Sequence, residues 1–462
     1  LKKLSLKLNK TADKLKTLQT NPEEMNYRRK VAITTLGCKV NQCESAALAE
    51  DLQRKNFLLV PFSSAADVYI INTCTVTSFS DFQSRQLIHR AHRANPRATI
   101  LVTGCYAQIA APEIEVIEGV SFIVGNDRKH QIADLLQGNL SATSDVYAGN
   151  ILRKNKFQNM PAAGFQNRTR AFLKIQDGCS SFCSYCIIPY ARGRNRSLPP
   201  PAVLQNVEQL NQKNYKEIVL TGIHLGSYGY DLNPPTKLSS LLYQLLNQYR
   251  HIRFRLSSIE PNEITDELID LFYQNDNLCP HLHIPLQSGD NEILKLMKRK
   301  YDTHFYGNLI EKVCRTIDDI AVGVDVMTGF PSESEKQFKN TFHLLDDLPI
   351  AYLHVFPYSE RPGTAAQKIE PKIPQAIKKE RAALLRDLSA KKREKYALRF
   401  LGKPLQVLVE KTKDKKTGMA KGFSQNYLPF LLTGDSSSLT NTIVTAQADK
   451  YFGERLYGTI IQ

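Results

Sequence analysis

A strand-then-helix unit recurs six times between residues 171 and 400 and leaves few folds open. Apolar, β-branched runs at Ala171–Gln176, Glu217–Ile223, Arg253–Glu260, His281–Ser288, Ala321–Gly329 and Tyr352–Ser359 read as buried parallel strands. Helical patterns lie between them, as at Ala202–Lys213, Glu263–Gln274 and Glu333–Leu345. Parallel strands joined by helices close toward a barrel whose functional loops follow the C-terminal strand ends. Six units in place of eight predict an open, partial (β/α)6 barrel, finished by a basic helix over 374–400.

The flanks read differently, so the fold class is α/β in three parts. Residues 29–140 alternate strands (Val31–Gly37, Asp67–Thr73, Thr99–Gly104) with helices (Glu44–Gln53, Asp81–Ala94), which predicts an open parallel sheet of flavodoxin type. Residues 141–167, with Pro161 and Gly164, read as a linker to the core at 168–400. Over 401–462 the helical period is lost. Leu405–Glu410, Gly418–Leu432, Asn441–Ala448 and Arg455–Ile461 predict a small antiparallel β-barrel. Residues 1–28 read as a basic extension.

Charge narrows the partners. Lys and Arg number 61 against 45 acidic residues, a formal charge of +16 that points to a polyanion such as nucleic acid. No apolar run reaches the roughly 18 residues of a membrane span, and no secretory stretch is evident, so the expectation is a cytoplasmic protein with no membrane. Nine cysteines in a reducing compartment then read as buried, metal-bound or catalytic, not disulfide-bonded.

Two sets of cysteines carry the chemistry. Cys179, Cys183 and Cys186 form a C-x3-C-x2-C loop just after the first barrel strand. Three thiolates on one loop can bind three irons of a 4Fe–4S cluster and leave the fourth open for a ligand. A zinc site would need a fourth ligand, and the next Cys or His is as far on as His224. Cys38, Cys74 and Cys105 are separated by 36 and 31 residues, yet each directly follows a predicted strand. Ends of neighbouring parallel strands share one edge, so these three also become a cluster if their strands are adjacent.

The loop Asp177-Gly-Cys-Ser-Ser-Phe-Cys-Ser-Tyr-Cys-Ile resembles that of the radical S-adenosylmethionine superfamily. Further segments resemble one subgroup, the methylthiotransferases: Thr35-Leu-Gly-Cys-Lys-Val-Asn-Gln42, Ile71-Asn-Thr-Cys-Thr-Val-Thr77, Val102-Thr-Gly-Cys-Tyr-Ala-Gln108, Ile187-Ile-Pro-Tyr-Ala-Arg-Gly193 and His281-Leu-His-Ile-Pro-Leu-Gln-Ser-Gly289. The resemblance implies an auxiliary-cluster domain, a radical core and a C-terminal TRAM barrel that grips RNA. It implies two [4Fe-4S] clusters, one on Cys38, Cys74 and Cys105, the other on Cys179, Cys183 and Cys186 beside bound S-adenosylmethionine, which is cleaved there to a radical. Tyr185 would then pack near the adenine. It also implies a flavodoxin- or ferredoxin-type electron donor and a sulfur donor.

Within the family, Leu256-Ser-Ser-Ile-Glu-Pro261 and the first motif resemble the group that acts on N6-threonylcarbamoyladenosine in tRNA. The implied reaction is 2-methylthiolation of that base next to the anticodon. Isopentenyladenosine in tRNA and an aspartate of a ribosomal protein are the alternatives within the family, and a zinc-containing RNA-binding protein is the alternative outside it. The backbone at Gly222 is a candidate for the amino-acid end of S-adenosylmethionine; Gln287, Ser288 and Asp325 read either as contacts to its ribose and adenine or as turn-capping groups. Arg192, Arg194 and Arg196 suit phosphate or the base's carboxylate. Tyr427 and Phe430 read equally as base-stacking rings or as core.

Overall fold

A computed structural model describes residues 28–138, 146–160, 164, 168–433 and 439–461. The expected extension, apart from residue 28, and Pro161 of the expected linker lie outside them. Contacts divide the chain into two compact units. One runs to Lys154 and takes in Gln158–Ala163 and Tyr190–Arg192; the other comprises Asn155–Phe157, Gly164–Pro189 and Gly193–Gln462.

The first unit is a six-stranded sheet of β1 (Lys30–Thr35), β2 (Leu58–Val60), β3 (Val68–Thr73), β4 (Thr99–Gly104), β5 (Val120–Val124) and β6 (Val146–Tyr147). All pairs are parallel, in the order β2-β1-β3-β4-β5-β6. Strand β3 is buried along its whole length because apolar cores cover both faces, one around Ile70 and Leu101, the other around Ile71 and Val102. This is the flavodoxin-like order, with a switch point between β1 and β3. Strand β6 falls inside the segment expected to be a linker.

In the second unit β7 (Ala171–Lys174), β10 (Glu217–Thr221), β11 (Arg253–Leu256), β12 (His281–His283), β13 (Ala321–Thr328) and β14 (Tyr352–Pro357) form the six parallel strands. They make two sheets, β11-β10-β7 and β12-β13-β14, with Phe254 of β11 bridged to Leu278 just ahead of β12. The first expected strand is cut short. Gln176–Asp177 (β8) leaves it to pair antiparallel with Arg196–Ser197 (β9), so that a two-rung ladder brackets the cysteine loop. Helix Gln375–Leu398 fills the expected basic stretch.

The terminal strands β15 (Pro404–Val409), β16 (Ala420–Ser424), β17 (Pro429–Thr433), β18 (Ile443–Phe452) and β19 (Arg455–Ile460) close a barrel in the order β15-β16-β17-β19-β18. The single run expected at Gly418–Leu432 is a hairpin, turned at Asn426 and Tyr427. Tyr427 stacks on Phe423 at 5.1 Å and lies 4.6 Å from His281, while Phe430 is buried in the barrel core. Phe430 thus takes the core role, while Tyr427 is half-buried against its neighbours.

A buried ion cluster ties this barrel to the parallel strands. Glu217 on β10 accepts from Arg253 at 3.0 Å and Arg255 at 2.8 Å. The arginines also donate to the carbonyls of Gln406 at 3.2 Å and Gln425 at 2.9 Å. Burial alone would raise the Glu217 carboxyl, but the two guanidiniums hold it down to about 2. A lowered carboxylate stabilises above its unfolded value and loses that contribution as pH falls toward 2. Glu217→Ala leaves two guanidiniums unpaired in the interior and is expected to cost about 3–5 kcal/mol in chemical unfolding.

Candidate metal and cofactor centres

In the first unit, Cys38, Cys74 and Cys105 follow β1, β3 and β4, which are consecutive neighbours in the sheet. The thiols sit at the switch point, where strand ends leave a crevice. Two glycines make the approach possible. Gly37 has φ +92°, and a Cβ there would stand 2.8 Å from the Cys74 sulfur. Gly104 has φ +101°, and a Cβ there would meet the Thr73 carbonyl at 2.3 Å. The three thiols are near enough for each charge to be felt by the others, and burial with this repulsion pushes Cys74 up to about 11.

Buried polar groups surround Cys105. Arg192 donates from Nε to its sulfur at 3.3 Å, and Asn126 from Nδ2 at 3.7 Å. The same guanidinium pairs with Glu44 at 2.5 Å and bonds Asn41. Glu44 also pairs with Lys129 at 2.5 Å, and Lys129 reaches Asn72 at 3.1 Å. Asn41 in turn donates to the carbonyls of Leu36 at 2.8 Å and Thr73 at 3.0 Å, tying the β1 and β3 ends together. Arg192 is therefore not the open anion-binding group expected of its loop: it is completely buried and its donors are used.

In the second unit, Cys179, Cys183 and Cys186 lie on the loop that β8 and β9 bracket. Gly178, at φ +75°, lets the chain pass the Arg194 carbonyl, and the Cys179 N–H donates to Gly193 at 3.0 Å. The Cys186 N–H closes a turn onto the Cys183 carbonyl at 3.0 Å. Each thiol feels the other two in part, and burial pushes Cys186 up to about 12. Arg299 donates to Cys183 at 3.5 Å while paired with Glu260.

Sequence reasoning missed His224 as a neighbour of this loop. Because β7 and β10 are hydrogen-bonded, its Nδ1 comes within 3.5 Å of the Cys179 sulfur, with Nε2 2.8 Å from Glu263. A Cys3His set is thus present locally. Donors around one tetrahedral zinc, at about 2.0–2.3 Å from it, stand roughly 3.4–3.8 Å apart. Among the described residues, the group found with all its donor atoms within 4.8 Å of one another is His283, Asp325 and His354, and neither cysteine trio is that tight. Thiols spread over separate irons suit a cubane better.

The remaining expected residues fall as follows. Tyr185 packs edge-on to Phe330 at 6.5 Å within an apolar cluster. A Cβ on Gly222 would meet Gln176 Oε1 at 2.7 Å, so the glycine makes room for a side chain that also accepts from the His224 N–H at 2.7 Å. Gln287 has φ 70° and bridges to Val326. Ser288 is buried and accepts from the Asp290 N–H at 3.3 Å, which is the turn-capping role. Asp325 Oδ1 takes His283 Nε2 at 2.8 Å and His354 Nδ1 at 3.5 Å, and the two imidazoles hold its carboxyl well below the usual range although burial opposes them. Arg196 is buried against Asp177 at 3.6 Å. Arg194 is the exposed member of its trio, with its guanidinium 5.5 Å over the Phe182 ring.

The chain is similar to known proteins along most of its length. Residues 30–125 match the model of uncharacterized protein family UPF0004, and residues 173–345 that of the radical SAM superfamily. The threonylcarbamoyladenosine tRNA methylthiotransferase MtaB of Aquifex aeolicus is 41% identical over 381 residues, 82% of this chain and 92% of the relative. That of Bacillus subtilis is 40% identical over 87% of this chain and 90% of its own. A tRNA-2-methylthio-N(6)-dimethylallyladenosine synthase of Clostridium botulinum is 32% identical over 91% and 94%. Among solved structures, the radical S-adenosylmethionine methyltransferase TsrM of Kitasatospora setae shares the fold, with a TM-score of 0.57 and 14% identity over 74% of this chain and 77% of that one. The chain, with its two strand-end cysteine trios, belongs to the radical S-adenosylmethionine methylthiotransferase family.

Proposed function

We propose that the protein is a tRNA methylthiotransferase that converts N6-threonylcarbamoyladenosine next to the anticodon to its 2-methylthio derivative. One observation carries this: two separate trios of thiols in a chain whose relatives, at 41% and 40% identity over nearly their full length, are named for that reaction. The donor sets fit [4Fe-4S] clusters, since each offers three thiols and leaves one iron free. When bound, the two clusters and S-adenosylmethionine supply the electron, the radical and the methylthio group.

The chain's own residues bind and position these groups. Cys179, Cys183 and Cys186 hold one cluster, with the Ser181 N–H (3.4 Å from the Cys179 sulfur) and Arg299 donating to its thiolates. Cys38, Cys74 and Cys105 hold the other, with Arg192 and Asn126 donating to Cys105. Hydrogen bonds of this kind set how readily a cluster takes an electron. The backbone at Gly222, Gln287 and the Tyr185 ring are the candidate contacts for S-adenosylmethionine; Ser288 and Asp325 would act through the turn and the imidazoles they hold. Arg194 is the candidate for RNA phosphate or the threonyl carboxylate. Arg194→Ala is expected to raise the KM for tRNA about tenfold, the loss of one charge-assisted hydrogen bond, with S-adenosylmethionine cleavage kept.

The terminal barrel, read as a TRAM domain, adds salt-dependent phosphate contacts from its lysines. A flavodoxin- or ferredoxin-type protein as reductant, a separate sulfur donor and a cytoplasmic site complete the proposal. Among the described residues no helix is long and apolar enough to cross a membrane. Anaerobically reconstituted protein should hold about eight irons per chain, and stoichiometric zinc in their place would contradict the assignment. Nucleoside mass spectrometry of the reaction on hypomodified tRNA separates threonylcarbamoyladenosine from isopentenyladenosine, and a parallel incubation with ribosomal protein tests the third substrate.

A further inference from the structure

The helix Ser78–Ala94 begins four residues after Cys74, and its exposed residues line up at helical spacing. They run Phe79, Phe82, Gln86, then His89 and Arg90, then Arg93, one stripe about 20 Å long at 1.5 Å per residue. Phe79 and Phe82 are 63% and 46% exposed, and their rings stack 6.3 Å apart at 30°. Val76, 52% exposed, adjoins them in sequence. Two large rings left in water beside each other call for a partner. The rest of the stripe says which. Its charged members are basic, and the helix's acid, Asp81, is buried. In the terminal barrel Phe430 lies in the core, Tyr427 packs on Phe423 and His281, and Phe452 is the exposed large ring.

We propose that this stripe is a second RNA-docking surface, on the cluster-bearing first unit: Phe79 and Phe82 stack an unpaired base of the substrate's loop, and Arg90 and Arg93 take backbone phosphates. It rests on the tRNA reading above and adds to it a surface separate from the terminal barrel. Aromatic faces accept any base, and arginines track the phosphates, which is how single-stranded segments are held. The face opposite the stripe packs Ser84, Ile88 and Ala91 into the sheet, so the stripe is held on a fixed element. Ser80, between the two phenylalanines, reaches the Cys74 thiol, which puts the rings within a turn of that cysteine.

The test uses the reconstituted full-length protein and a fluorescent anticodon stem–loop carrying threonylcarbamoyladenosine. Phe79→Ala with Phe82→Ala is expected to weaken binding about tenfold or more, as loss of base stacking does. Arg90→Gln with Arg93→Gln is expected to lower the slope of log affinity against log salt by about 1.4, at roughly 0.7 per single-strand phosphate. Iron content and circular dichroism should stay at wild-type values, since all four side chains are exposed. Wild-type binding retained by both variants overturns this proposal alone; a wild-type protein that binds no RNA overturns it together with the proposed function. Unchanged RNA affinity with a loss of turnover seen only under a flavodoxin-type reductant, and not under dithionite, assigns the patch to a redox partner and overturns it too.

Discussion

Replacing Cys179, Cys183 or Cys186 singly by Ala is expected to remove both 5′-deoxyadenosine and the methylthiolated nucleoside, whereas replacing Cys38, Cys74 or Cys105 removes the nucleoside and leaves S-adenosylmethionine cleavage. The split follows from the way the trios are held. One is a local loop pinned by the β8–β9 ladder and by the Cys179 and Cys186 N–H bonds. The other is assembled from three strand ends of a different compact unit. Neither set borrows a ligand from the other in this assignment, so damage to one stays local. Liquid chromatography of a single dithionite-reduced incubation reads both products. Retention of cleavage in Cys183→Ala would sink the assignment of that loop.

Arg192→Leu is expected to be almost as severe by another route. With Cys105 as thiolate, Arg192 and Lys129 balance Glu44 and the sulfur, two charges of each sign in a site closed to water. Removing one cation leaves a buried negative charge uncompensated, which costs about 3–5 kcal/mol, and takes away the nearest donor to the sulfur. The variant should unfold at lower denaturant and reconstitute with about four irons in place of eight. Arg194→Leu, two residues along the chain but exposed, should do neither. Full iron loading in Arg192→Leu would show that the guanidinium is only a structural ion pair.

The contrast between these two arginines shows where sequence reading stops. Alternate arginines in Ala191-Arg-Gly-Arg-Asn-Arg-Ser197 look alike as letters, and all three suggest an anion site. Their fates depend on partners distant in the chain: Glu44 and Cys105 for Arg192, Asp177 for Arg196, and solvent for Arg194. By contrast, the placement of Cys38, Cys74 and Cys105 after strands was legible, because strand runs are local and parallel neighbours share an edge. The six barrel strands were legible for the same reason. What periodicity could not carry was tertiary: the two-residue strands β8 and β9, the hairpin inside Gly418–Leu432, and His224 beside Cys179. Glu44, Asn41 and Asn72 did leave a signal, since each stands in or next to a cysteine motif; Lys129 left none.

Nucleoside mass spectrometry of bulk tRNA from a strain lacking this protein reads the proposed reaction itself. 2-Methylthio-N6-threonylcarbamoyladenosine should vanish and its unthiolated precursor accumulate, and both should revert when the wild-type chain, but not Cys183→Ala, is restored. An unchanged level of the methylthio nucleoside, in a strain with no second gene of this kind, would contradict it.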